Sequence, residues 1–309
     1  MIRNLKSMPI LLALGMAALT VGAAPAPPSM NDILAASPQD DWRHIDAADM
    51  LVMQLPAGRV VIELAPDFAP KSVANIRTLV RAHYFDGAAI VRVQDNYVVQ
   101  WARSDHHPLG AAKSAIAPEF DRAIDPDLSF TALPDPDTYA PQTGFSAGFP
   151  VARDPAEGRA WLAHCYGMVG VGRDNAADSG NGSELYAVIG QSPRNLDRNV
   201  TLVGRVIEGI DLLSALPRGT AALGFYEKPS QRIPISSIRF AADLPVTQRP
   251  DLEALRTDST TFGALLQERR TRPDPWYKHT PGHVNVCNMP LPVRTATDKK
   301  APPVKRRGS

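Results

Sequence analysis

The chain has 309 residues, of which 44% are hydrophobic and 21% are charged. This composition is typical of a soluble globular protein with one large domain or two small ones, and it supports a sizeable core. The formal net charge of +1 excludes a strongly basic protein, so we expect no nucleic-acid partner.

The first residues predict a secretory signal peptide over residues 1–23. Arg3 and Lys6 precede an apolar stretch, and the small residues that end at Ala23 suit a cleavage site. The apolar stretch is short for a membrane span, although an uncleaved N-terminal anchor is the alternative. We therefore expect an exported protein of a bacterial periplasm, without stable membrane insertion after cleavage.

Strands dominate the predicted elements. Residues 24–45 are predicted to form an exposed linker, because the stretch 24–37 is rich in proline and alanine. One helix is predicted to open at Pro70, a favoured first position, and a short one lies near 210–216. Apolar alternation and short apolar runs predict strands at 50–54, 59–64, 89–93, 97–101, 167–171, 185–189, 201–206 and 233–240.

Two regions lack this regular pattern. Eight prolines fall within 104–163 and predict a long surface insertion that carries only short strands. Residues 245–309 are predicted to form an irregular C-terminal extension, with one amphipathic helix near 260–270 and a basic, disordered tail. Cys165 and Cys287 either form a disulfide that ties this extension to the core or remain two buried thiols.

Arg92 is unusual because it interrupts the apolar run 90–93, and Tyr97 and Gln100 follow it at short offsets. Around it, seven segments resemble the cyclophilins, a family of peptidyl-prolyl cis/trans isomerases. In chain order, these segments are Val61-Ile62-Glu63-Leu64, 69–75, Tyr84-Phe85-Asp86-Gly87, Arg92-Val93, 96–100, Asn181-Gly182-Ser183 and 196–206.

The resemblance covers residues 58–240 and implies a mainly β fold, a closed antiparallel β-barrel capped by two helices, within a domain at 46–244. It implies an enzyme that accelerates rotation about X-Pro bonds without a cofactor or a metal. Its partners would be proline-containing segments of exported or unfolded proteins.

The resemblance also implies roles for individual residues. Arg92 would stabilise the twisted amide, and Gln100 would hold Arg92 in place and hydrogen-bond the peptide backbone. The residues that would bind substrate, in the proline pocket and in its neighbouring walls, are Tyr97, Val171, Gly172, Arg173, Glu184, Tyr186, Leu196 and Val200.

Several positions depart from the family pattern. Glu184 replaces the usual glutamine, and a carboxylate 4 Å from Arg92 would be worth ~4 kcal/mol at an effective dielectric constant of about 20 and would tie up the donor. The other departures are Val91, Trp101-Ala102-Arg103, Val171, Asn195 and Val200, and tyrosines replace phenylalanines at 97 and 186. The alternative function is therefore a catalytically weak, cyclophilin-like module or chaperone that binds proline-containing peptides.

Two other site types have partial motifs in the sequence. Motifs around His164 and Ser179 are similar to those of chymotrypsin-like proteases, but they lie far too close together in the chain. His279, His283 and Cys287 have the four-residue spacing of helical metal ligands, although Pro281 interrupts such a helix. We expect neither a protease nor a metal site.

Overall fold

A computed structural model describes residues 27–103, 105 and 107–296. The predicted signal peptide and the basic tail lie outside these residues. The helices are α1 (Met30–Ala35), α2 (Pro70–Arg81), α3 (Ile210–Ser214) and α4 (Thr260–Thr271). The strands are β1 (Trp42–His44), β2 (Met50–Leu55), β3 (Gly58–Leu64), β4 (Ala89–Val93), β5 (Val98–Ala102), β6 (Arg122–Ala123), β7 (Thr131–Ala132), β8 (Gln142–Ser146), β9 (Phe149–Asp154), β10 (Arg159–Leu162), β11 (Met168–Val171), β12 (Leu185–Val188), β13 (Leu202–Glu208), β14 (Ile233–Pro234), β15 (Ser237–Phe240), β16 (Leu252–Leu255) and β17 (Val293–Thr295).

The main sheet closes into a barrel. Its nine strands follow the order β14-β4-β5-β12-β11-β13-β3-β2-β15, and every pairing is antiparallel. The two edge strands are consecutive in the chain, and the backbone amides of Ile235 and Ser236 between them donate to Ala88 on one side and Gln54 on the other. The segment predicted as one strand at 233–240 is thus two half-strands that join opposite edges, and the predicted closed barrel is confirmed.

Helices α2 and α3 pack onto the barrel core, as predicted. Val73, Ile76 and Val80 of α2 and Leu213 of α3 are almost fully buried against the inward-facing residues of the strands. Ala69 gives α2 no side-chain cap. The carboxylate of Glu119 accepts hydrogen bonds from the first backbone amides of the helix instead.

The insertion at 104–163 carries short strands, as predicted, but its apolar side chains are buried in a second core, which it shares with the barrel and the C-terminal extension. Strands β6 to β10 all belong to it and form a separate five-stranded sheet. Phe145 of β8 and Phe262 of α4 pack edge to face, with their ring centroids 5.0 Å apart. This insertion is therefore a second packed layer rather than a surface excursion.

The N-terminal segment and the C-terminal extension differ from their predictions. Residues 24–45 were expected to form a linker, whereas α1 and β1 lie within them, and Ser29 caps α1. Strand β1 pairs with β16, which pairs with β17, so the extension is a small sheet together with the predicted helix α4. Strands β1 and β17 have three residues each, which is too short to show a period in the sequence.

Leu252 and Ala254 of β16 pack on Met50, Val52 and Val61, which belong to the outer face of the β2–β3 hairpin. The extension therefore covers one side of the barrel. Cys165 and Cys287 form a disulfide, which is one of the two alternatives that the sequence leaves open. Among the described residues, no helix has the length and apolar character that a membrane crossing requires.

Candidate active site

Arg92 lies on β4 opposite Gln100 of β5. The register of this pair shifts between Ile90 and Arg92, and such bulges redirect a side chain. The arginine therefore leaves the apolar alternation of its strand and faces a groove on the outside of the barrel. Burial lowers the pKa of the Arg92 guanidinium, which nevertheless stays charged at neutral pH.

Three hydrogen bonds fix the guanidinium. Nη1 donates to Oε1 of Gln100 at 3.2 Å, Nε donates to the carbonyl oxygen of Leu223 at 2.6 Å, and Nη2 donates to Oε1 of Gln94. The rings of Tyr97 and Phe225 lie with their centroids 5.6 and 5.5 Å from the guanidinium carbon. A guanidinium has five N–H groups, so these partners leave two for a ligand.

Glu184 does not tie up Arg92 directly, contrary to the sequence-based expectation. The amide of Gln100 lies between them and donates from Nε2 to Oε2 of Glu184 at 2.8 Å, while its oxygen accepts from Arg92. Within the residues that the structure describes, no ion pair joins Arg92 and Glu184. A side chain at Gly172 would place its Cβ 3.1 Å from Cβ of Glu184, so glycine permits this close approach.

The structure brings all the predicted site residues to one groove. Its volume is about 1320 Å³, which is large enough for a peptide segment. Tyr97 and Val200 pack against Tyr186 at one end, where the surface is mostly apolar. The predicted residues that line the groove are Arg92, Tyr97, Gln100, Val171, Gly172, Arg173, Glu184, Tyr186, Leu196 and Val200.

A buried polar network, which the sequence did not reveal, supports the Tyr186 wall. The hydroxyl of Tyr186 lies 2.9 Å from Nε2 of His164, and Nδ1 of His164 lies 3.0 Å from Oδ1 of Asp197. Arg194 donates from Nε to Oδ2 of Asp197 at 2.6 Å and also pairs with Asp137. The polar end of Tyr186 therefore points into the protein, and its ring is held at the groove.

The ionisation of this network follows its burial. Burial raises the pKa of the Tyr186 hydroxyl far above its ordinary value, so it stays protonated. Burial also disfavours the Asp197 carboxylate, but the hydrogen bond from His164 and the charge of Arg194 outweigh it and lower the pKa of Asp197. Asp197 is thus a charged acceptor that orients His164.

The geometry forms neither a protease pair nor a metal site from the motifs around His164 and Cys287 within the described residues. Both ring nitrogens of His164 contact Tyr186 or Asp197, while the Ser179 hydroxyl donates to the carbonyl oxygen of Ala176, so no protease pair forms. Cys287 is disulfide-bonded. Across the described ranges, no group of three or more histidine, cysteine, aspartate or glutamate residues is arranged to hold a metal ion.

Sequence reasoning missed three contacts of Arg92, namely Gln94, Leu223 and Phe225. Leu223 and Phe225 belong to the segment between α3 and β14, which has no hydropathy period that would assign it to the site. Gln94 lies in the turn after β4. Its position two residues beyond Arg92 puts both side chains on one face of an extended chain, and this was the available signal.

Comparisons with known proteins agree with this geometry. The family model "Cyclophilin type peptidyl-prolyl cis-trans isomerase/CLD" matches residues 50–240. A "Probable peptidyl-prolyl cis-trans isomerase" of Brucella suis is 26% identical over 177 residues, which are 57% of this chain and 76% of that protein. "Peptidyl-prolyl cis-trans isomerase-like 1" of Gibberella zeae is 25% identical over 190 residues, 61% of this chain and 93% of that protein.

Among solved structures, cyclophilin AquaCyp293 from Hirschia baltica is similar with a TM-score of 0.64 and 27% identity. The match covers 86% of this chain and 97% of AquaCyp293, so it includes parts of the chain outside the barrel. The family match, the closed barrel and the arginine-lined groove agree: the chain belongs to the cyclophilin-type peptidyl-prolyl cis-trans isomerases.

Proposed function

We propose that Arg92 is the catalytic residue and that the chain accelerates X-Pro rotation in exported proteins. The observation that carries the proposal is a guanidinium fixed by three hydrogen bonds, with two N–H groups left in a groove that also holds the apolar cluster of Tyr97, Tyr186 and Val200. Rotation of an X-Pro bond removes amide resonance and returns a lone pair to the prolyl nitrogen. A fixed cationic donor beside that nitrogen stabilises the twisted amide more than the planar one.

The proposed mechanism breaks no covalent bond. The proline ring occupies the apolar end of the groove formed by Tyr97, Tyr186 and Leu196. Arg92 then donates to the twisted amide, while Gln100 keeps the guanidinium from rotating away. A rate gain of ~10⁵ corresponds to about 7 kcal/mol of transition-state stabilisation, a magnitude that a desolvated, charge-assisted hydrogen bond and a dry pocket together supply.

We also propose that the substrates are unfolded or partly folded proteins in a bacterial periplasm. Two features support this compartment: the N-terminal pattern of a secretion signal at 1–23, and the disulfide between Cys165 and Cys287. Structural disulfides persist in oxidising compartments and are rare in the cytosol. Fractionation of the producing cells, followed by N-terminal sequencing of the mature protein, tests this part; a cytosolic protein that keeps residues 1–23 would contradict it.

The catalytic role is tested by prolyl isomerisation of a tetrapeptide with and without the enzyme. We expect Arg92→Ala to lower kcat/KM by roughly 10²-fold or more, as loss of a transition-state donor does. Arg249→Ala is the matched control, because this exposed arginine donates to backbone carbonyls outside the groove. An Arg92→Ala enzyme that retains the wild-type rate would refute the proposed role.

A second candidate function is a peptide-binding module with slow turnover. It is favoured by the contacts of Gln100, whose oxygen meets Arg92 and whose nitrogen meets Glu184, so that less of this amide is offered to a peptide backbone. Peptide binding without acceleration by the wild-type protein would select this function over the first.

A further inference from the structure

The segment 219–226, here called the Arg92 arm, forms one edge of the groove and is fixed to strand β4. The amide of Gly219 donates to the carbonyl of Val93 at 3.0 Å, and the amide of Tyr226 donates to that of Val91 at 3.0 Å, so both ends of the arm are bonded to β4. Gly224 has a φ of +78°, and a Cβ there would lie 2.6 Å from Cα of Gln94. The arm therefore lies tightly against the strand that carries Arg92.

The arm presents apolar side chains to solvent at the groove. Leu223 is 66% exposed and Phe225 is 37% exposed, and both line the groove. Among the described residues, six large hydrophobic side chains are this exposed, and the other four do not line it. An exposed apolar pair at the rim of a peptide-binding groove is suited to contact a ligand, because covering it removes apolar surface from water.

The backbone conformation of Leu223 also indicates a functional role for the arm. Its φ is +58°, a region that asparagine and glycine adopt readily and leucine rarely does. Fold stability alone would therefore favour another residue at this exposed position. Strain of this kind concentrates at functional sites, and here the strained residue also supplies the carbonyl that accepts from Nε of Arg92.

We propose that Leu223 and Phe225 form an apolar subsite that selects substrates with an apolar side chain next to the proline. This inference rests on the proposed function, since it assigns a side-chain preference to the same groove. The backbone carbonyl of Leu223 positions Arg92, and its side chain is free to contact the flanking residue. Substrates with a polar flank leave the pair exposed and gain less binding energy in the transition state.

Leu223→Asn tests the subsite without removing the carbonyl that holds Arg92. Asparagine tolerates the positive φ, so we expect an unchanged or higher melting temperature. The substrates are two peptide series, Ala-Xaa-Pro-Ala and Ala-Ala-Pro-Xaa, with Xaa as leucine or glutamine, followed by NMR exchange spectroscopy. We expect the leucine-to-glutamine ratio of kcat/KM to fall by about fivefold in the series whose flank meets the arm.

Two further variants make the result decisive. Leu223→Gly must show the same loss of preference, and Val246→Asn, which changes an exposed apolar residue outside the groove, must show none. An unchanged ratio in both series overturns the proposal. An equal fall for leucine and glutamine peptides also overturns it, because the arm would then act only on Arg92. If the wild-type protein binds peptides without turnover, the proposed function fails, and the same ratio measured on Kd still tests the subsite.

Discussion

The substitution Glu184→Gln measures how strongly a carboxylate restrains Arg92, the proposed catalytic residue. The Gln100 amide connects Glu184 to Arg92. It donates to the Glu184 carboxylate at 2.8 Å and accepts from the Arg92 guanidinium at 3.2 Å. With two covalent bonds of the amide between them, the charged atoms lie at most about 8.6 Å apart. Their attraction is then at least about 2 kcal/mol at an effective dielectric constant of about 20 and at least about 0.5 kcal/mol in water.

Glu184 is exposed, so the screened end of this interval applies, about 0.5–1 kcal/mol. Glutamine keeps an oxygen acceptor for Nε2 of Gln100, and the change therefore removes charge while preserving the hydrogen bond. A guanidinium freed from this attraction donates more strongly to the twisted amide. We expect kcat/KM to rise roughly two- to fivefold.

The assay is prolyl isomerisation of one tetrapeptide at low and high ionic strength. The gain must shrink in about 1 M salt, where the Debye length is ~3 Å. Glu157→Gln is the control, because it removes an exposed carboxylate that pairs with Arg198 rather than with the groove. A lower rate for Glu184→Gln at low salt would refute the reasoning and would make Glu184 a required acceptor.

Two further predictions concern stability. Cys165 and Cys287 are 122 residues apart, and reduction of their disulfide should lower the free energy of unfolding by roughly 2–5 kcal/mol in urea titrations. A Cys165→Ala/Cys287→Ala double variant should not respond to the reductant. Equal unfolding midpoints for the oxidised and the reduced wild type would contradict this prediction. The pKa of Asp197 is lowered in the folded state. The Asp197 carboxylate therefore stabilises the fold fully above the unfolded pKa of about 3.9, and this stabilisation disappears as the pH falls through the lower folded pKa. The stability difference between wild type and Asp197→Asn should accordingly be constant near neutral pH and vanish in acid, and a difference that persists in acid would show that its origin is not this charge.

The resemblance to the cyclophilins implied the barrel, whereas its longer strands could be predicted from their own alternation. Val60, Ile62 and Leu64 of β3 alternate in the sequence and are all buried in the barrel core. The extension was harder, because β1 and β17 have three residues each and gain their stability from partners far along the chain. A short strand of this kind is defined by its tertiary contacts rather than by its own pattern.

The candidate site shows the same division. The resemblance to the cyclophilins, to which the spacing of Arg92, Tyr97 and Gln100 contributes, identified the residues of the groove. The sequence could not show that the Gln100 amide lies between Arg92 and Glu184, because this arrangement depends on how β5 pairs with β12 and on the side-chain rotamers. Leu223 reaches Arg92 from 131 positions away, through a segment with no regular structure to predict.

The split of the last barrel strand has a consequence for synthesis. The outer edges of strands β4 and β2 are paired by residues 233–240, in which β14 pairs with β4 and β15 pairs with β2. A chain growing from its N-terminus therefore exposes two unpaired strand edges until that segment is available, and such edges invite pairing with other chains. The eight residues 233–240 then pair with both strand edges. Truncation before residue 233 would therefore leave an open sheet with two unpaired edges rather than a smaller barrel.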